Sequence, residues 1–143
     1  MRGYLLDTNI ISDAIKPSPS PLLREWMLSQ DDERLFISSI NVAEIYRGIL
    51  AIPEGRRRTN LEAWFAGPLG PQSLFAGRIL PFDVGAALAW GALMAAGRAA
   101  GKPRSDIDIF IAAIAEANDC VVVTDNAKHF DAVRTINPMR PAI

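Results

Sequence analysis

Apolar residues in this chain fall in short runs that stop at an acid or amide and then give way to helical spacing. Gly3-Tyr4-Leu5-Leu6 runs into Asp7-Thr8-Asn9, and Cys120-Val121-Val122-Val123 runs into Thr124-Asp125-Asn126. Short continuous apolar runs bounded by such breaks read as buried strands. Leu35-Phe36-Ile37, with Ser38 and Ser39 at its exit, Arg78-Ile79-Leu80 before Pro81, and Arg134-Thr135-Ile136 add three more. Between them the spacing predicts helices. One spans Thr8 to Ile15, closed by the stiff Lys16-Pro17-Ser18-Pro19-Ser20-Pro21 loop, and a second carries Leu22, Leu23, Trp26 and Met27. A third runs from Asn41, with Val42, Ile45, Ile49 and Ile52 as its stripe and Glu44 in its first turn, and stops at Pro53 and Gly55. Residues 56–66, an alanine-rich stretch from Val84 to Ala100, and residues from Ser105 to Asn118 complete the set, with a break at Gly67-Pro68-Leu69-Gly70-Pro71 and a turn over Ala127 to Phe130. Strands alternating with helices predict an α/β fold: a parallel sheet with helices on both faces, in one domain over residues 1–143.

Composition narrows the class. With 143 residues, 50% hydrophobic and 22% charged, the chain can build one packed core and is not a disordered or fibrous protein. Its formal charge of −1 offers no global attraction for nucleic acid, so a polyanion must be held locally. Arg56-Arg57-Arg58 and Lys102-Pro103-Arg104 are the basic candidates; a solvated face is the favoured reading of the triple arginine, and Lys102 and Arg104 carry more weight because they directly precede the third acidic patch. The single cysteine, Cys120, opens an apolar strand and reads as a small core residue in a reducing compartment. No signal-like segment or membrane-length apolar run occurs, so a cytoplasmic protein is expected, with no membrane partner.

The candidate chemistry lies in four acidic patches: Asp7, Glu44, Asp106 with Asp108, and Asp125 with Asn126. Residues just beyond the carboxyl ends of parallel strands gather along one sheet edge, where ligands bind. Carboxylates collected there repel one another unless a hard cation neutralises them, and oxygen-only donors point to Mg²⁺ or Mn²⁺. Taken singly, each acid also fits a helix cap. Asp7 can open the first helix, Asn41 and Glu44 have capping-box spacing, and so do Ser105 and Asp108. On the last long helix, Ile107, Phe110, Ile111 and Ile114 form the predicted core stripe, while Asp108 shares a face with Ala112 and Ala115; this turns Asp108, rather than Asp106, toward a shared site with space beside it. A carboxylate-held Mg²⁺ suits phosphodiester hydrolysis. Acyl chemistry suits the chain less, because it has one histidine, His129, which reads as a surface or hydrogen-bonding residue, and no nucleophile elbow. Neither Gly-x-Gly-x-x-Gly nor a Walker sequence is present.

The motifs Leu-Leu-Asp7-Thr-Asn, Ser39-x-x-x-x-Glu44, Asp108-x-x-Ile111-Ala112-Ala113 and Val-Thr124-Asp125-Asn126-x-x-His-Phe130, in this order, resemble those of the PIN-domain ribonucleases, and specifically the VapC toxins of bacterial type II toxin–antitoxin pairs. Ala76-Gly77-Arg78-Ile79-Leu80-Pro81-Phe82-Asp83 further resembles the FitB-like branch. The resemblance implies an α/β/α sandwich, Mg²⁺- or Mn²⁺-dependent endonucleolytic cleavage of RNA, neutralisation by a VapB-type antitoxin, a homodimer, and operator DNA reached through the antitoxin. It makes Asp7 and Asp108 the principal metal ligands, Glu44 a ligand or an orienter of bound water, and Thr8 and Thr124 supporting groups. Asn126 stands at the usual Asp-or-Asn position and adds no charge, with Asp125 as a substitute if the loop turns differently. Two other readings compete. An aspartyl-phosphate phosphatase built on Asp7 lacks the second aspartate, since Asn9 stands there. A catalytically silent binding module would keep the fold and act only through antitoxin and operator DNA. The apolar residues Leu22, Leu23 and Trp26 are candidates for a dimer face, with core packing as the alternative.

Overall fold

A computed structural model describes residues 1–15, 17–102 and 106–140. Lys16, Arg104, Ser105 and Pro141 lie outside them, and with these the expected basic Arg104 and the Ser105 cap. The strands are β1 (Gly3–Leu6), β2 (Leu35–Ser38), β3 (Ile79–Leu80), β4 (Cys120–Val123) and β5 (Thr135–Ile136). The helices are α1 (Thr8–Ala14), α2 (Pro21–Leu28), α3 (Ser39–Leu50), α4 (Arg56–Ala66), α5 (Pro71–Leu74), α6 (Val84–Ala99) and α7 (Asp108–Ala117). Short 3-10 turns cover Asp32–Arg34 and Ala127–Phe130.

All neighbouring strands are parallel, in the order β3-β2-β1-β4-β5. The chain winds outward from β1 through β2 to β3, then crosses back to lay β4 on the other side of β1. This puts the reversal of strand order between β1 and β4, whose pairing aligns Leu6 with Val123. Loops leave that point in opposite directions and open a crevice at the carboxyl edge.

The pleat sends alternate residues to opposite faces. Leu5 and Val122 join Phe36, Ile111 and Ile114 in a core beneath α6 and α7, while Leu6 and Val123 join Ile10, Ile11, Leu23 and Ile37 in a second core beneath α1 and α2. Strands buried on both faces need continuous apolar runs, which explains why β1 and β4 carry no polar alternation. Leu23 is thus a core residue, and the candidate dimer face retains Leu22, 44% exposed, while Trp26 packs edge-on against Tyr4.

Two helix starts differ from expectation. α3 begins at Ser39, and the residues closing its capping box are Ser38 and Asn41 rather than Asn41 and Glu44: the Ser38 hydroxyl accepts from the Asn41 amide at 3.1 Å, and Asn41 Oδ1 accepts from the Ser38 amide at 2.7 Å. Glu44 therefore stands in the second turn, with no capping duty. α7 begins at Asp108 after a turn, so Ile107 is 38% exposed and Ile109 takes its predicted place in the core. Ala112 and Ala115 are packed in that core rather than leaving space beside Asp108.

Gly3 shows how closely the sheet edge is packed. A Cβ there would land on the Arg34 carbonyl oxygen and within 2.9 Å of the Phe36 ring. Overpacking of this kind costs about 1–3 kcal/mol, so Gly3→Ala should lower the urea midpoint with an unchanged slope; an unmoved midpoint would refute the close approach.

Candidate metal centre

Asp7 occupies the strand reversal. Its amide donates to Val123 O at 2.9 Å, extending the β1–β4 ladder by one rung, and its side chain opens α1 as the N-cap. The carboxylate is only 5% exposed. Oδ1 accepts from the Thr8 amide at 2.8 Å, and Oδ2 accepts from the hydroxyl of fully buried Thr124, at the end of β4, at 2.9 Å. Burial pushes the carboxyl from its ordinary 3.8 up to about 6; the Thr124 and Thr8 bonds pull it back, and the charges of Asp108 and Glu44 raise it further.

Glu44 is aimed by a relay from β2. Fully buried Asn41, held by Ser38, donates through Nδ2 to the Thr8 hydroxyl at 2.9 Å, and that hydroxyl donates to Glu44 Oε1 at 2.7 Å. The S-x-x-N cap at the strand-to-helix junction thus does two jobs: it starts α3 and fixes the rotamer of Thr8. Asp108 is placed differently. His129, brought up by the 3-10 turn after β4, sets Nδ1 at 2.8 Å from Asp108 Oδ2 and 3.0 Å from Asn126 Nδ2. A carboxylate can only accept, so Nδ1–H donates to Asp108, and in that tautomer Nδ1 has no lone pair left to accept from Asn126 Nδ2. Asn126 is held by its own amide, which donates to Thr124 Oγ1 at 3.0 Å.

These groups line one polar cavity of about 370 Å³, walled by Asp7, Thr8, Asn9, Glu44, Asp106, Ile107, Asp108, Asn126 and His129. Asp106 lies on the wall with Asp108, contrary to the helical phase argument, because it precedes the helix and does not share its rotation. Asp125 is exposed and does not line the cavity; the loop turns Asn126 inward. His129 was recognisable only as a hydrogen-bonding residue. The signal that could have marked it for the site is its spacing of three from Asn126, which one 3-10 turn converts into adjacency.

The donor set suits a hard divalent cation in chemistry: every acid is an oxygen donor, and the buried one is raised first by burial and further by the charges of Asp108 and Glu44. The expected triad Asp7, Glu44 and Asp108 nonetheless does not converge on one point. Among the described residues no three His, Cys, Asp or Glu side chains are grouped as ligands of a single ion. The cause is local: Thr124 with Thr8, Thr8 with Asn41, and His129 each hold one carboxylate separately.

Comparison with known proteins places this geometry. The PIN domain family matches residues 4–135. The chain is 39% identical over 140 residues to VapC ribonuclease Y4jK of Sinorhizobium fredii, covering 96% of this chain and 99% of that protein. It is 40% identical over 136 residues to plasmid stability protein StbB of Pseudomonas syringae pv. tomato, covering 94% and 96%. This chain is a PIN-domain protein of the VapC toxin family. Its fold superposes on that of FitAB bound to an IR36 DNA fragment with a TM-score of 0.85 at 32% identity, over 98% of both chains. The five-stranded parallel sheet flanked by helices is the PIN-like arrangement, and the expectation of an α/β/α fold stands.

In this VapC-family chain the buried acid sets a pH signature. A folded pKa of about 6 against the ordinary 3.8 means that the folded chain holds the proton more tightly than the unfolded one. Stability contributed by neutral Asp7 is present at low pH and lost as pH rises from 3.8 through about 6, a loss of about 2–3 kcal/mol. In EDTA, Asp7→Asn should therefore be more stable than wild type above that window and nearly equal to it below. Denaturation curves at both ends measure this; a variant that is no more stable at neutral pH would contradict the pKa assignment.

Proposed function

We propose that this chain is a metal-dependent endoribonuclease, the toxin of a toxin–antitoxin pair, using Mg²⁺ or Mn²⁺ held by Asp7, Glu44 and Asp108, with Asn126 completing the pocket. The single observation that carries the reading is the buried Asp7 carboxylate, raised to about 6 in a cavity that Glu44 and Asp108 also line. Such a site gains most from a cation, which offsets burial and repulsion together. Kinship with a protein named VapC ribonuclease supports the same chemistry.

When bound, the cation supplies a polarised phosphoryl oxygen and a more acidic water. The chain's own residues do the rest. Asp7 is locked by two donors and anchors the site. Glu44 commits Oε1 to Thr8, and its Oε2 faces no protein donor among the described residues, so it can accept a proton from the attacking water. His129 orients Asp108, which would be one of the residues holding the cation. Asn126 offers an uncharged amide toward a phosphate oxygen. In the reaction the water oxygen forms a bond to phosphorus, the bond to the leaving ribose oxygen breaks, and that oxygen takes up a proton.

The same reading brings in the partners. A VapB-type antitoxin would cover the acidic cavity, a homodimer would present two sites, and operator DNA would be reached through the antitoxin; the structural match to FitAB on DNA supports this. Among the described residues no helix is long and apolar enough to cross a membrane, and action on RNA in the cytoplasm is part of the proposal.

The test is cleavage of a mixed RNA pool by the antitoxin-free chain with Mg²⁺. EDTA should abolish cutting, and Asp7→Asn or Asp108→Asn should reduce it by at least about a hundredfold. Cutting that survives EDTA would overturn the metal assignment, and antitoxin binding with no cutting by wild type would favour the silent binding module.

A further inference from the structure

Beside the acidic cavity lies a second, larger groove of about 570 Å³, walled by α1, α3 and α4. The two share Thr8 and Glu44, so the residues that aim the proton acceptor also form the end wall of the groove. Beyond that polar end the lining turns apolar, with Ile45, Ile49 and Leu61, and reaches Trp64 and Arg57. Trp64 is half-buried, and its ring neighbour Phe65 lies 6.5 Å away at a 58° tilt, so no ring stacks on it among the described residues. Arg57 is exposed and has no ion pair there, whereas adjacent Arg58 is tied to Glu62 at 2.7 Å.

The start of α4 points the same way. Arg56, Arg57 and Arg58 occupy its first turn, Gly55 provides no side-chain cap, and no acid stands there. Cations at the positive end of a helix dipole weaken the helix, and of the three only Arg58 has a compensating partner, Glu62, among the described residues, which leaves Arg57 open to an external anion.

We propose that this groove receives a nucleotide of the RNA flanking the bond to be cut, its base against Trp64 and its phosphate at Arg57. The inference rests on the ribonuclease reading above and extends it to where the substrate strand runs. A strand whose phosphodiester reaches Glu44 can leave past the wall that the two cavities share. The flat unstacked ring, apolar sides and an unpaired guanidinium fit a base and a phosphate, since bases stack on aromatic faces without sequence preference and arginine positions the backbone. A segment of a protein partner is the competing occupant.

The test separates binding from cutting. Anisotropy of a labelled short single-stranded RNA is measured with Ca²⁺ in place of Mg²⁺, across a salt series, for wild type, Trp64→Ala, Trp64→Phe and Arg57→Gln. Trp64→Ala should weaken RNA binding about tenfold with an unchanged salt slope, and Trp64→Phe, which keeps a ring, should restore most of it. Arg57→Gln should lower the salt slope by roughly 0.7. Phe65 is buried next to Trp64, so circular dichroism of each variant checks the fold, and Trp64→Phe with Arg57→Gln keeps the test decisive if Trp64→Ala unfolds. RNA affinity and slope unchanged in Trp64→Phe, Trp64→Ala and Arg57→Gln would overturn the proposal, and so would loss of antitoxin binding alone. Wild type that binds RNA in this Trp64-dependent way yet never cuts it would sink the ribonuclease reading while leaving the groove assignment intact.

Discussion

Placing a carboxylate where a parallel sheet reverses its strand order creates a conflict between two forces. The backbone of Asp7 is wanted there, since its amide continues the β1–β4 ladder and its side chain starts α1. Its charge is not, because the position is almost closed to water and three further acids, Glu44, Asp106 and Asp108, line the same cavity. Hydrogen bonds from Thr124 and Thr8 reduce the penalty without removing it, which is why the carboxyl stays up at about 6. Much of the local architecture follows from that unresolved charge. The buried threonine, the relay from Asn41 through Thr8 to Glu44, and the His129 clasp on Asp108 each give an acid a donor that separates it from the others.

The separation has a chemical consequence. On the proposed reading, three carboxylates held by different donors would accept a cation without first collapsing on one another, and Asp108, whose partner is a half-exposed imidazole, has the most easily displaced restraint. Asp7 and Glu44 are held by donors from the protein interior. Thr8 links this to the neighbouring groove: one hydroxyl orients the acid and forms the boundary between the two spaces.

The sheet was legible because its strands are buried on both faces. Val121-Val122-Val123 and Leu5-Leu6 can hardly be anything else, and the acids follow them in register. The contents of the site were legible in part, through the same logic: Asp7, Glu44, Asp108 and Asn126 do line one cavity. Other features depended on where elements begin, which side-chain pattern resolves poorly. The expected Asn41–Glu44 box was replaced by one between Ser38, the last residue of β2, and Asn41. Starting α7 at Asp108 moved Ile107 out, moved Ile109 in, and left Asp106 free to face the acids. His129 reaches Asp108 across a gap of 21 residues, a contact set by topology that no local spacing encodes.

The claim on which the account depends is that a cation relieves the buried charge of Asp7. Calorimetric titration of Mn²⁺ into the metal-free chain, repeated in buffers of different ionisation enthalpy, counts the protons released per ion bound. With the Asp7 carboxyl at about 6, binding should expel about half a proton at pH 6 and almost none near about pH 8, and Asp7→Asn should bind weakly without release. Tight binding by wild type with no proton expelled at pH 6, or equal affinity in Asp7→Asn, would contradict it.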